Sequence, residues 1–483
     1  MSEKIEELRK VRIQKLEELK KRGIDPYPVD SKRTHTIAEA LNSFDKISKA
    51  KTEVSLTGRV RSIRTHGKLA FFDLEDQSGK IQLLIKEDLV GKDFELIDLL
   101  DMGDFLEAHG NLALSKTKQK TLEVSKIRLL SKSIRPIPTE HFGIADLETR
   151  LRKRYLELMT NQETRDLFVK KAIFWKTIRN FLEEQGFLEV QLNVLEPIPG
   201  GAEAEPFVTH HNALDKDFYL RISLELPLKK LIAGGYEKVF EIGRIFRNEG
   251  ISTEHLQDYT QMEFYWAYSE YEQLMEMLES MYKAVIKNVT GELKTSYDGK
   301  EIDWSKKWSR VRYFDIFKEK TGLDLNTVSE ADLRKYAGEE KIKFEKNQGK
   351  GRLIDLIYKK KVRPSLIQPC FLINPPVEIE PLAKKDPSNP NEVQRLQILA
   401  GGTELGKGFS ELNDPLDQRA RFEDQMKLRE AGDKEAQMLD DDYLEAMEYG
   451  MPPMAGFGLS ERLFAVIMDK SIRETNFFPL MKD

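Results

Sequence analysis

Between Gly243 and Tyr265 the chain reads GRIFRNEGISTEHLQDYTQMEFY, a run that sets Arg, Glu, His and aromatic residues between two short apolar stretches. Those stretches, residues 236–246 and 261–268, are rich in Val, Ile, Phe, Tyr and Trp and predict β-strands joined by a polar, Gly-containing loop. The result is a hairpin that presents Arg247 and Glu249 near its tip. A guanidinium fork there can clamp a phosphate and a carboxylate together, a bidentate task to which Lys is poorly suited. A carboxylate two residues on can accept from an exocyclic amine such as that of adenine. The alternative is a solvated hairpin with ordinary ion pairs, and the rest of the chain weighs between the two.

At 483 residues, 40% of them apolar and 33% charged, the chain has room for about three domains and a large buried core. The N-terminal run MSEKIEELRKVRIQKLEELKKRG alternates charge at helical spacing without the apolar core of a signal peptide, and no run of about 18 apolar residues follows. A cytoplasmic protein without a membrane role is expected. The lone Cys370 excludes an internal disulfide framework and reads as a buried strand end. A net charge of -5 gives no global basic footprint, so any nucleic-acid contact must use local patches. In residues 4–22, a helix with Ile5, Leu8, Ile13, Leu16 and Leu19 as its apolar stripe carries many Lys and Arg, which suit either docking on a neighbouring domain or tracking RNA.

From Val54 the pattern changes to short strands, VSLTGRVRSIR, KLAFFDLEDQSGKIQLLIK, DFLEAHGNLAL and TLEVSKIRLL. About five strands at this spacing close an OB-fold barrel, whose open face binds single-stranded nucleic acid by stacking bases on aromatics over a positive groove. Phe71, Phe72 and Gln82, flanked by Arg59, Arg61, Arg64 and Lys68, have the chemistry for this, with at least one Phe expected in the core. The proline-bearing run IRPIPTEHFGIADLE predicts a linker. Long helices follow up to Gly186, and FLEVQLNVLEP reads as a strand. The expected division is an N-terminal helix over 1–30, an OB-fold over 50–135, a linker over 136–153 and an α+β domain over 154–483. An inserted segment, about 274–361, is expected to wrap its outside.

Two further clusters lie near the C-terminus, GGTELGKGFSELNDPLDQR and MPPMAGFGLSERLFAVIMDK. GGTELGKG matches GxxxxGK but carries Gly408 where a P-loop needs a hydroxyl for magnesium, and GFSELNDP is a poor helix start. GFGLSE lacks the third glycine of a dinucleotide fingerprint; it is read as leading into a helix with Arg462 one turn inside, its N-terminus suited to phosphate charge. Adjacent His210 and His211 point to opposite faces of a strand and are no zinc pair. Glu404 facing a triphosphate would need magnesium between them. Glu411 and Glu225 either line a pocket for an ammonium group or pair with Lys229, Lys230 or Lys407. Being seven apart, Glu404 and Glu411 need not face the same way.

Taken together, FRNEGIS, HLQDYTQMEFY, GFSELNDPLDQR and GFGLSER resemble the class II lysyl-tRNA synthetases that carry an N-terminal OB domain, and THHNALDKDFYLRISLELPLKKLIAGGYEKVFEIGRIFRNEG is close over its whole length. The resemblance implies an antiparallel catalytic sheet flanked by helices and a homodimer. It implies that L-lysine attacks the α-phosphate of ATP to give lysyl-adenylate and that the terminal ribose of tRNA(Lys) then takes the lysyl group. By the same resemblance Arg247 bridges the lysine carboxylate and the α-phosphate, Glu249 reads the adenine amine, Tyr259 stacks on the base and Arg462 covers its other face. His255 approaches the phosphates and Glu404 holds Mg2+. Gly201 and Glu225 hold the α-amine, Glu411, Tyr265 and Glu263 form the ε-ammonium end, and Phe409 walls the aliphatic channel. Phe71 and Gln82 match the anticodon-reading positions.

The chain departs from the family pattern at several positions. Gln397 stands where a second metal-binding Glu is common, Lys407 where Asn is usual beside the substrate, and Glu205 where a basic residue is usual; GFGLSER is one residue shorter than GxGxGxxR. A second cation about 4 Å from a cationic substrate would cost roughly 1 to 4 kcal/mol, so Lys407 is expected to point toward a carboxylate or phosphate. The rival readings are an adenylate-forming paralogue with another acceptor, which would have little use for an anticodon reader, and a nucleic-acid-binding pseudo-enzyme, against which Arg247, Glu249, Glu404 and Arg462 argue.

Overall fold

The computed structural model describes residues 3–138, 146–250, 256–345, 348–430, 432–433 and 435–481. They fall into two compact units, Met1–Ala145 and Asp146–Asp483.

In the first unit β1 (Val54–His66), β2 (Leu69–Asp76), β3 (Gly79–Lys86), β4 (Phe105–Leu114) and β5 (Lys120–Ser131) close a barrel in the order β1-β2-β3-β5-β4, the expected OB-fold. Alternation along the strands fills it: Phe72, Leu74, Ile81 and Leu83 are buried inward. Phe71 and Gln82 belong to the opposite face, since Phe71 pairs with Leu84 and Gln82 with Asp73. Thus Phe72 is core and Phe71 the outward ring, with exposed Arg64 as its partner on β1. Helix α1 (Glu3–Lys21) docks through Leu19, fully buried in the barrel core, and through two of its cations. Buried Arg12 donates to Ser133 Oγ at 3.0 Å and to the Met102 and Arg135 carbonyls, and Lys15 pairs with Asp101, whereas Leu8 and Val11 stay exposed.

The second unit is built on a mixed, mostly antiparallel eight-stranded sheet among the described residues. Its strands are β6 (Leu188–Glu189), β7 (Lys238–Phe246), β8 (Asp258–Ala267), β9 (Ser309–Arg312), β10 (Cys370–Ile373), β11 (Arg395–Ala400), β12 (Thr403–Ser410) and β13 (Met454–Ser460), in the order β9-β10-β11-β12-β13-β8-β7-β6. FLEVQLNVLEP is not one strand: Leu188–Glu189 joins this sheet and Leu195–Glu196 a separate small one.

Period-2 alternation gives the large sheet two unlike faces. One presents Phe240, Met262, Phe264, Leu396, Ile398, Phe457 and Leu459 to helices α2 (Gln162–Glu184) and α3 (Tyr271–Thr290). Helix α3 begins in a capping box at Glu270 and ends at Gly291 in the left-handed region. It buries Leu274, Met275, Leu278, Met281, Tyr282, Val285 and Ile286, each contributing about 1.5–3 kcal/mol of transfer free energy. The segment expected to wrap the outside from residue 274 therefore starts inside a core helix, and Trp304 and Trp308 farther along it are core as well. Gly406 of the GxxxxGK run lies on this face: a Cβ there would stand 2.5 Å from Phe457 Cζ and 2.7 Å from Tyr282 Oη. The glycine answers helix packing, not a phosphate.

Candidate active site

The other face of the sheet carries the polar residues. Three ladder rows cross it: Gln261 opposite Ser460; Glu263 opposite Gly458, which faces Lys407 and then Gln397; and Tyr265 opposite Gly456, which faces Phe409 and then Arg395. The strand GFGLS runs through the middle with no side chain at positions 456 and 458, which leaves a floor between walls of Glu, Tyr and Phe. A Cβ on Gly456 would collide with Tyr265 Cε1 and stand 2.5 Å from Glu411 Oε1. Gly456→Ala is therefore expected to cost about 1–3 kcal/mol in thermal unfolding by overpacking, and wild-type stability would show that the strand yields to the added methyl.

A bulge makes Glu404 part of this face. Leu399 pairs with Glu404 and Ile398 with Gly406, so Leu405 is an extra residue on β12 and shifts the alternation by one. Glu404, Lys407, Phe409 and, just beyond the strand, Glu411 thereby turn to the same side. The Glu404 carboxylate accepts from Gln397 Nε2 at 2.5 Å. Burial pushes it up, but Arg462, Lys407 and Arg395 outweigh burial and hold it below its ordinary value, hence ionised. One ionised hard-oxygen ligand, with no cluster of three His, Cys, Asp or Glu among the described residues, fits a magnesium ion that takes its other ligands from a bound polyphosphate and water.

At the far end of the floor lies a buried charge cluster. Glu225 opens helix α4 (Glu225–Ala233), and Lys229, one turn on and fully buried, pairs with Glu225 at 2.5 Å and with Glu411. The ammonium also lies over the Tyr265 and Phe409 rings, 5.7 and 5.5 Å from their centroids. Gly201 backs the cluster, because a Cβ on it would stand 2.7 Å from that of Glu225. Glu263 is held by Ser223 Oγ at 2.8 Å, the Leu224 amide at 3.0 Å, Gln261 Nε2 and Tyr265 Oη at 3.2 Å. Both Glu411 oxygens are sealed from solvent, and the Lys229 ammonium, which Glu225 shares, is the cation against them. Burial, offset in part by Lys229 and increased by Glu263, pushes the Glu225 carboxyl up to about 7, while burial and Glu225 carry that of Glu411 well above its usual range. Three carboxyl groups thus crowd one fixed cation, and their mutual repulsion favours proton uptake in the free protein.

Arg247 lies past the end of β7. Its backbone amide donates to the Gln257 carbonyl at 2.9 Å, its Nε to the Ile222 carbonyl at 3.2 Å, and its guanidinium sits 5.7 Å from the centroid of Tyr259. Glu205 is beside it, its carbonyl accepting from the Asn248 amide, and the Glu249 amide turns back to the Arg247 carbonyl. His255 lies outside the described residues. Arg462 is the first residue of helix α5 (Arg462–Ile467) rather than one turn inside it. Six residues, preceded by the buried Glu461 carboxylate paired with Lys171, make this terminus no phosphate seat. Lys407 pairs with Glu380, at 3.1 and 3.2 Å. Of the polar residues here, Lys229 was named in the sequence only as an alternative partner of Glu225 and Glu411, and it now stands at the centre; Tyr443 and Glu380 gave no local signal. The i, i+4 spacing of Glu225 and Lys229 was the visible clue.

The geometry agrees with the likeness to known proteins. The family described as tRNA synthetases class II (D, K and N) matches residues 146–482, and the OB-fold nucleic acid binding domain matches residues 54–130. The lysine–tRNA ligase of Moorella thermoacetica is 43% identical over 99% of this chain and 98% of its own length. That of Carboxydothermus hydrogenoformans is 42% identical over 99% of both, and that of Staphylococcus saprophyticus 41% identical over the full length of both. A match to more than half of the chain by one family, and to nearly all of it by these relatives, settles the family: the chain belongs to the class II lysyl-tRNA synthetases.

Proposed function

We propose that this protein is a lysine–tRNA ligase, which joins L-lysine to AMP at the expense of ATP and transfers the lysyl group to the 3′ end of tRNA(Lys). The observation that carries the choice of lysine is the buried pair Glu225 and Glu411 sharing the single Lys229 ammonium, with Glu263 beside them. Free lysine brings two ammonium groups. Its α-amine would take Glu225 and the backbone at Gly201, and its ε-ammonium would take Glu411 and Tyr265, with Phe409 along the methylenes and Glu263 holding the Tyr265 hydroxyl in place. A neutral analogue would leave the buried carboxylates unpaired, which is costly.

The lysine carboxylate then lies toward Arg247. One of its oxygens attacks the α-phosphorus, a P–O bond forms, the bond to the β-phosphate oxygen breaks and pyrophosphate leaves. Arg247 holds attacking carboxylate and α-phosphate together, and its charge stabilises the pentavalent phosphorus; in-line positioning supplies the remainder, so no general base is required. Tyr259 and Arg462 would sandwich the adenine, Glu249 would read its amine, and His255 would approach the phosphates. Glu404 would hold Mg2+, which when bound neutralises polyphosphate charge. In the second step the terminal ribose hydroxyl of tRNA attacks the lysyl carbonyl and AMP leaves. Phe71 and Gln82 are proposed to read the anticodon; a homodimer in the cytoplasm completes the reading.

Lysine-dependent exchange of pyrophosphate into ATP without RNA, followed by lysyl transfer to tRNA(Lys), tests the assignment. Exchange without transfer would indicate a paralogue with another acceptor, and absence of exchange a pseudo-enzyme. The pocket also sets a pH dependence. Glu225 titrates near 7 in the free enzyme, and an ammonium ligand favours its ionised form, so binding expels a proton below that pH. Glu411, raised as well, gives up its proton to the same ligand, so lysine Kd is expected to fall as pH rises from 6 to 8. Calorimetry over pH 6 to 8 checks this, and a flat profile contradicts it.

A further inference from the structure

The bulge at Leu405 brings three unlike groups to one edge of the nucleotide end: the ionised Glu404, the neutral Gln397 and the cationic Lys407. Gln397 is held at both ends. Its Oε1 accepts from the Tyr358 hydroxyl at 3.0 Å and its Nε2 donates to Glu404 Oε2. A phenol held well above its ordinary range by burial remains the donor in that contact, so the amide nitrogen faces Glu404 and Gln397 offers no anionic oxygen to a metal. Lys407 is the direct cross-strand partner of Gln397, and its side chain is 45% exposed. Its ammonium is hooked on buried Glu380, which Arg395 also engages at 3.3 Å. Two cations share this one carboxylate, with ionised Glu404 alongside, and Lys407 is the solvent-facing member of the pair.

We propose that Lys407 is a built-in cation for the ATP polyphosphate, anchored by Glu380 and Arg395, and that it takes the place of one divalent ion, so that a single divalent ion held by Glu404 serves each site. This rests on the reading of the Glu404 edge as the ATP seat. It explains why a cation is tolerated next to a pocket for a cationic amino acid: the Lys407 charge is tied to Glu380 and directed to phosphate, whereas the ammonium groups of lysine are taken by Glu225 and Glu411 farther along the floor. The neutral Gln397 and the charged Lys407 then form one exchange, in which a carboxylate that would recruit a metal is absent and a side-chain ammonium stands opposite.

The test is a count of Mn2+ by electron paramagnetic resonance on the full-length protein saturated with α,β-methylene ATP. One tightly held Mn2+ per bound nucleotide is expected; two or more would overturn the proposal, and this count needs no variant. The double substitution Gln397→Glu with Lys407→Asn is expected to raise it to two. Lys407→Met should weaken α,β-methylene ATP binding by about tenfold or more, the loss of one charge-assisted contact, while lysine Kd stays within about twofold. Unchanged nucleotide affinity, or a much lower lysine Kd, in a variant with wild-type thermal unfolding would assign Lys407 a merely structural or lysine-opposing role and overturn the proposal. Lysine-dependent exchange by the wild-type protein separates the levels. If it is present and the count is two, only this inference falls; if it is absent, the ligase assignment falls, while the Mn2+ count still reports on the nucleotide end.

Discussion

Arg247→Ala is expected to lower kcat/KM for lysine-dependent pyrophosphate exchange by about 10²–10³, the effect of removing one preorganised donor from a developing charge. The side chain has two jobs that share one geometry. Its Nε is tied to the Ile222 carbonyl and its backbone to Gln257, which fix the fork, and the guanidinium lies close to Tyr259, where adenine is proposed to stack. Arg247→Lys keeps the charge but not the fork, so most of the loss should persist. The loss should fall mainly on kcat, because the contact strengthens as phosphorus becomes five-coordinate. A lysine variant with wild-type kcat would show that the position supplies charge alone.

Glu411→Gln is the second large effect, and it should separate function from stability. The carboxylate is buried, shares Lys229 with Glu225 and is repelled by Glu225, so its ionised form is a strain on the free protein that Lys229 only partly relieves. The amide has nearly the same shape, and Lys229 keeps Glu225 as partner. Stability should therefore change by less than about 1 kcal/mol, in contrast to the 3–5 kcal/mol of an ordinary broken buried pair. Lysine affinity should nevertheless fall by about 10² or more, since the ε-ammonium loses its counter-charge in a dry site. A variant that unfolds far earlier while still binding lysine normally would make Glu411 a structural partner of Lys229 and nothing else.

Much of this site was legible because alternation and residue chemistry act locally. The β7–β8 hairpin, the barrel strands and the rejection of a P-loop at Gly401–Lys407 follow from period, turn residues and one missing hydroxyl, whereas GFGLS, read as a lead into a helix, is a central strand. The barrel alternation even required one of Phe71 and Phe72 to be core, and register chose Phe72. What stayed hidden depends on contacts between distant segments. The Leu405 bulge is invisible to a strand template, yet it alone turns Glu404 to the side of Lys407 and Glu411. Lys229 was in view as an i, i+4 neighbour of Glu225, but its second partner comes from a segment 182 residues away, between helix α4 and the end of β12. The misplaced insertion has a simpler cause. Leu274, Leu278, Met281 and Val285 form a helical stripe, and a boundary placed at residue 274 cut through the helix that carries it.

Equilibrium binding of lysine, norleucine, ornithine and arginine to the wild-type protein tests the central physical claim, a buried floor whose acidic side chains outnumber its one fixed cation. Norleucine matches lysine in length but lacks the ε-ammonium, so it should bind at least about 10³-fold more weakly, with ornithine between them because its ammonium falls short of Glu411. Lysine binding at pH 6.5 should release protons, and norleucine binding should release fewer. Norleucine affinity within a few-fold of that of lysine would contradict the account, since it would mean that the acidic groups at 225 and 411 are balanced by Lys229 alone and choose no ligand.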